Sequence, residues 1–175
     1  MRLALALALI ALPAAAATVR GPADLAALTA GADLVVYARV AKISSAWGAK
    51  GPAGGLIFTS VLLAPLEVWK GAARQIVAQV PGGAVGEIDQ TVQGVARFAP
   101  GEEVVVFLRN RAPGVFEVSH WALGKFSVST SSARPGKRAF RDRASLTCLG
   151  CGADEDDELG LTELRARVLQ AAGKQ

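Results

Sequence analysis

Cys148 and Cys151 are the only cysteines of the chain, and their Cys-x-x-Cys spacing is its one recognised short motif. Two thiols so placed can close a small disulfide ring, act as a redox pair, or supply half of a four-ligand metal site. The metal reading fails because no other cysteine exists and there is a single histidine. A thioredoxin-like catalyst carries its pair at the start of a helix that follows a strand, whereas this pair follows an arginine-rich loop. A local structural disulfide is therefore expected, with a redox-active pair, or thiols left unpaired or linked to a partner, as the alternatives. So short a ring stabilises a domain only modestly.

His120 shares its parity with Phe116, Val118 and Phe126. That pattern fits a hydrogen-bonded side chain in the core or at its rim better than a general base, although imidazole titrates in a suitable range. Hydrolysis needs a nucleophile and an orienting acid as well. The chain has no G-x-S-x-G, H-E-x-x-H or G-x-x-x-x-G-K-[ST] pattern and no G-x-G-x-x-G after a strand. No catalytic residue, metal or cofactor is indicated. The acidic run Asp154 to Glu158 lacks the spaced oxygens and central glycine of an EF-hand loop, and reads as the solvated start of a helix. Among Trp47, Trp69 and Trp121, packing is the expected use of most, and Trp121 is the best placed for exposure because it lies opposite the core parity. Trp121, His120 and Trp47 are thus the candidate binding residues.

The chain that must position these groups has 175 residues, 51% of them hydrophobic, and a net charge of +4. Met1 to Ala17 has a basic start at Arg2, an apolar run from Leu3 to Leu12, Pro13 and a small-residue A-x-A site, the pattern of a secretory signal peptide. The run is too short to span a bilayer as a helix, which needs about 20 residues. An exported chain, periplasmic or secreted, is expected. The modest charge, without a basic stripe, makes no case for nucleic acid. Removal of residues 1–17 leaves enough chain for one domain with a real core.

Strand patterns dominate from Asp33 onward. Leu34 to Ile43, Leu56 to Trp69, Gln75 to Val80, Glu102 to Arg109 and Val115 to Val128 read as five strands, with Phe58, Leu62, Leu66 and Val68 on one parity of the second. Pro65 suggests a bulge or an edge, and the unbroken run Val104 to Leu108 suggests cover on both faces. Gly82 to Ala99 reads as a connection across one end of the sheet. Asp24 and Gly31 are expected to cap a short helix. The expected fold is all-β, a five-stranded OB-like, partly closed barrel with short flanking helices, and a sandwich is the competing architecture. The expected organisation is a signal peptide (1–17), a barrel domain with its short N-terminal helix (18–128), a mobile polar and charged segment bearing the Cys-x-x-Cys (129–158), and a C-terminal helix (159–175).

The segments Ala32-Asp33-Leu34-Val35-Val36-Tyr37-Ala38-Arg39-Val40, Leu66-Glu67-Val68-Trp69-Lys70-Gly71, Arg97 to Leu108 and Gly124-Lys125-Phe126 form an ordered set. From Asp33 to Val128 the chain resembles uncharacterised exported bacterial β-barrel proteins with the pattern ADLVV-x-R-V, EVLKG, F-x-x-GE-x-VVVFL, GKF. More distantly it resembles the OB-like barrel of netrin-like domains, which include tissue inhibitors of metalloproteinases. Those inhibitors begin with a zinc-chelating cysteine and are rich in disulfides, whereas both cysteines here come late. The resemblance therefore implies a fold and not the inhibitory mechanism.

The function expected from these residues is a non-enzymatic exported module holding a protein or glycan partner of the cell envelope on its sheet face and the Gly82 to Ala99 connection. The alternatives are a thiol–disulfide protein using Cys148 and Cys151, and an inhibitor or chaperone of a co-secreted protease.

Overall fold

The computed structural model describes residues 17–20, 24–52, 55–130, 135–141, 143, 146–149 and 157–173. The expected signal peptide therefore falls outside the described residues except for Ala17, and so does Cys151. In chain order the first elements are β1 (Ala17–Arg20), α1 (Leu25–Gly31), β2 (Leu34–Trp47), β3 (Ile57–Lys70) and β4 (Ile76–Pro81). A small hairpin, β5 (Gly83–Val85) and β6 (Ile88–Gln90), precedes β7 (Glu103–Ala112) and β8 (Val115–Val118). After a 3₁₀ turn (Trp121–Gly124) come β9 (Lys125–Thr130), β10 (Lys137–Arg141), β11 (Leu146–Leu149), β12 (Glu158–Gly160) and α2 (Leu161–Ala171).

Five strands close into a barrel in the order β2-β3-β4-β8-β7 and back to β2. The β4–β8 pair is parallel and the other four pairs are antiparallel. This is the OB-like arrangement expected from the strand order, and it is fully closed. Beyond it the sheet runs on from β7 through β9 and β10 to β12. The sheet thus continues past Val128, and the stretch read as a mobile segment contains β10, β11 and the first residue of β12. Among its described residues Arg138 of β10 pairs with Glu158 of β12 at 2.7 Å, and Arg143 pairs with Asp157 at 2.9 Å.

Strand β7 explains how one sheet serves two cores. Val104, Val106 and Leu108 point into the barrel with Leu34, Val36, Val61 and Ile76, while Val105 and Phe107 point out beneath the helices. All five are buried, as their unbroken apolar run requires. The outer layer gathers Trp69, Phe126, Leu28 of α1, and Leu164 and Val168 of α2. At α1 the Asp24 carboxylate accepts the Ala27 N–H at 2.7 Å, as an N-cap should. The other end is capped at Ala32 rather than Gly31, and the Lys70 ammonium donates to the Thr29 carbonyl at 2.6 Å.

Burial decides which parity of β3 faces the core, and one strand reading needs correction. In β3 Val61 and Leu63 join the barrel core and Ile57, of the same parity, is buried, so Phe58 and Leu62 lie on the other parity, half-buried, and Leu66 and Val68 are exposed. Apolar side chains occur on both parities, and pattern alone could not choose between them. Pro65 lies beyond Leu63, where pairing with β4 ends, and a register shift leaves Leu66 opposite no residue of β2, so the site is both an edge and a bulge.

The expected strand Val115 to Val128 is two strands. Both pair antiparallel with β7, β8 ending at the Val118–Leu108 pair and β9 beginning at Lys125–Val106. Seven steps on one side match two on the other, and the surplus of five is odd. An odd slip reverses which face each side chain takes. Phe116 therefore enters the barrel while Phe126, of the same parity, enters the outer layer.

Candidate functional site

The surplus residues are looped out beside Phe107, whose carbonyl accepts the Ser119 N–H at 2.9 Å. Within this excursion His120 and Trp121 have φ of 52° and 58°, the only non-glycine residues with positive φ among those described. Left-handed backbone costs a non-glycine residue about 1–2 kcal/mol, and such strain concentrates where function fixes a conformation. The result is an indole 46% exposed beside the junction of β8 and β9.

Trp121 and His120 line a cleft of about 270 Å³ on the outer face of the barrel. Phe58 of β3, and Val80 and Pro81 of β4, form its apolar wall; Arg109 and Arg111 of β7 and Glu117 of β8 form its charged side. Arg109 pairs directly across the strands with Glu117, and a register shift between Asn110 and Ala112 sets Arg111 within reach of the same carboxylate. Glu117 accepts from Arg109 through Oε1 and from Arg111 through Oε2, the latter at 3.2 Å. Burial, reinforced by the Arg109 and Arg141 charges, holds the His120 pKa below its ordinary value, which favours neutral imidazole. Its Nδ1 is buried without a hydrogen-bond partner among the described residues.

Of the residues expected to bind, His120 and Trp121 thus meet in one cleft. Trp47 does not join them: it stands half-buried at the end of β2, paired with Ile57, and is not part of the cleft lining. Cys151 and the side chain of Cys148 lie outside the described residues, and of this pair only the Cys148 backbone is seen, in β11 opposite Val19. The sequence reading missed Phe58, Arg109, Arg111 and Glu117. A hairpin counted symmetrically about Pro113-Gly114 sets Glu117 opposite Asn110; the bulge moves it opposite Arg109, and no sequence signal announced that bulge.

No family model and no curated protein matches this chain. Among the described residues no three His, Cys, Asp or Glu groups converge to hold a metal, and no helix is long and apolar enough to cross a membrane.

The polar residues of the ordered segments between Asp33 and Val128 have architectural partners instead. Asp33 accepts the Asn110 N–H at 2.7 Å, and Lys125 joins Glu102 at 2.6 Å and lies over the Phe98 ring. Glu103 of β7 collects Lys137 at 2.6 Å, Arg39 at 2.8 Å and the Tyr37 hydroxyl. The Lys137 and Tyr37 hydrogen bonds lower the Glu103 pKa from an ordinary 4.5 to about 2. Its folded pKa lies below the unfolded one, so the stabilisation is complete above about pH 4.5 and drains away as pH falls toward 2. After solvent screening of the partly exposed cluster this amounts to about 1–2 kcal/mol. Glu103→Gln is expected to lose that amount at pH 7 and to flatten the acid limb of stability between pH 5 and 2, measured by urea unfolding across pH; an unchanged acid limb would count against the assignment.

Proposed function

We propose that the chain is an exported, non-enzymatic binding module that holds a protein or glycan partner at the Trp121 cleft. The observation that carries this reading is the solvent-facing indole held by two consecutive left-handed, non-glycine residues at a cleft on the outer face of an OB-like barrel. OB folds bind ligands on the face of their second and third strands and through adjoining loops. Phe58 and Pro81 of this cleft belong to those strands, and Arg111 borders the hairpin loop between the fourth and fifth. The composition of Met1 to Ala17 supports export, and the resemblance to exported β-barrel proteins and netrin-like domains enters as kinship of fold.

The test is affinity capture from the cell envelope and culture fluid with the parent chain and with Trp121→Ala. A specific partner retained by the parent and reduced at least about tenfold with the variant is expected, since aromatic anchors dominate such contacts. Equal capture by both proteins, or a partner on neither, would overturn the reading.

A further inference from the structure

From the same cleft, and resting on that reading, we infer that the ligand is an acidic glycan, with Trp121 stacked on a sugar ring and Arg109 and Arg111 receiving its carboxylate. The charge count points to an anion. Two guanidiniums share the single carboxylate of Glu117, so this side of the cleft carries one excess positive charge. Each guanidinium has five N–H donors, and Glu117 engages Arg109 through Nη2 and Arg111 through Nη1. Both side chains remain 57% exposed. Glu117 thereby orients two forks without consuming them, which lowers the entropy that a planar anion must overcome in binding.

The shape of the ligand follows from the strands. An extended peptide docks on a barrel or sheet chiefly by adding to an unpaired edge, where main-chain groups give affinity. Here β8 is bonded to β4 and β7, and β4 to β3 and β8 up to the Gln79–Glu117 pair; only Val80 and Pro81 run past β8, a two-residue stub that includes a proline without an N–H and is too short to template an added strand. Recognition is left to side chains: a flat indole, an apolar wall at Phe58 and Pro81, and two cationic forks. A ring with an apolar C–H face and a carboxylate at its edge matches all three, and the small volume of the cleft suits such a ring.

The experiment is calorimetric titration of the full chain, at low and moderate salt, with tetramers of galacturonic and of mannuronic acid. The fully methyl-esterified tetramers and hexaglutamate serve as probes of charge and of ring. At least one acidic tetramer is expected to bind, more weakly as salt rises, and its ester about tenfold or more weaker. Trp121→Ala and the double variant Arg109→Gln/Arg111→Gln are each expected to reduce affinity by roughly tenfold to a hundredfold. Their melting temperatures should stay near the parent's, since exposed pairs contribute little stability. Equal binding of acid and ester, tighter binding of hexaglutamate, or no binding of either acidic tetramer overturns the inference. If neither tetramer binds while Trp121-dependent capture of an envelope partner persists, the ligand class falls and the binding module stands; loss of both removes both.

Discussion

Gly124→Ala is expected to lower the melting temperature by roughly 6–12 °C, followed by circular dichroism. Gly124 is buried at the end of the 3₁₀ turn, and a Cβ there would lie 2.0 Å from the Ser119 carbonyl oxygen and 3.2 Å from Val118 Cγ1. The nearest obstacle is backbone, and it cannot withdraw. Ser119 is tied to Phe107 through its N–H at 2.9 Å, and the turn is tied to Gly94 by the Ala122 N–H at 2.9 Å. A methyl forced into such a site costs about 3 kcal/mol, at the upper end for overpacking, and each kcal/mol moves the midpoint of a domain this size by about 2–4 °C. The excursion also sets His120 and Trp121, so the same variant is expected to weaken partner capture. Gly136→Ala is the control: its φ is 91° but nothing lies within 4 Å of the added carbon, so only backbone strain of about 1 kcal/mol is expected. A Gly124→Ala protein melting with the parent, or no lower than the control, would show that the loop-out relaxes freely.

That loop-out marks where the sequence stopped being legible. Val104 to Leu108 announced a strand covered on both faces because every position is apolar, and Asp24 announced its helix because a carboxylate can accept the Ala27 N–H. Such signals are local. The split of Val115 to Val128 is not, since Phe116 and Phe126 share a parity and differ in destination only because an odd number of residues leaves the ladder between them. The Arg109, Arg111 and Glu117 group depends on a similar event, a one-residue bulge that no composition encodes. Charge patterning is silent on pairing: in a run of arginines followed by acidic residues, nothing local says that Arg138 of β10 meets Glu158 of β12. The sequence features easiest to see, among them Asp33, Lys70, Glu102, Glu103 and Lys125, hold strands and helix together. They specify the barrel, whereas Trp121, Arg109 and Arg111 give its outer face a chemistry that the barrel does not require.

The strand shared by the two cores allows the other large effect to be placed. Phe107→Ala is expected to destabilise the protein by about 3–5 kcal/mol, the cost of removing a fully buried phenyl ring. Phe107 stands in the outer layer with its ring centroid 6.1 Å from that of Phe126, and no small movement of α1 or α2 fills so large a void. If the helical layer and the barrel were independent, this variant would melt its layer first and leave the lumen standing. They share β7: Phe107 packs outward while its chain neighbours Val106 and Leu108 pack inward. Loosening one face of a strand whose other face is in the lumen must disturb both. A single transition is therefore expected, with far-ultraviolet circular dichroism and the fluorescence of Trp69, buried in the outer layer, coinciding at a midpoint lowered by about 6–20 °C. Trp47→Phe and Trp121→Phe in the background isolate the Trp69 signal. Two separated transitions would show that the layers fold independently, and a loss below about 1 kcal/mol would show that the outer layer closes around the gap.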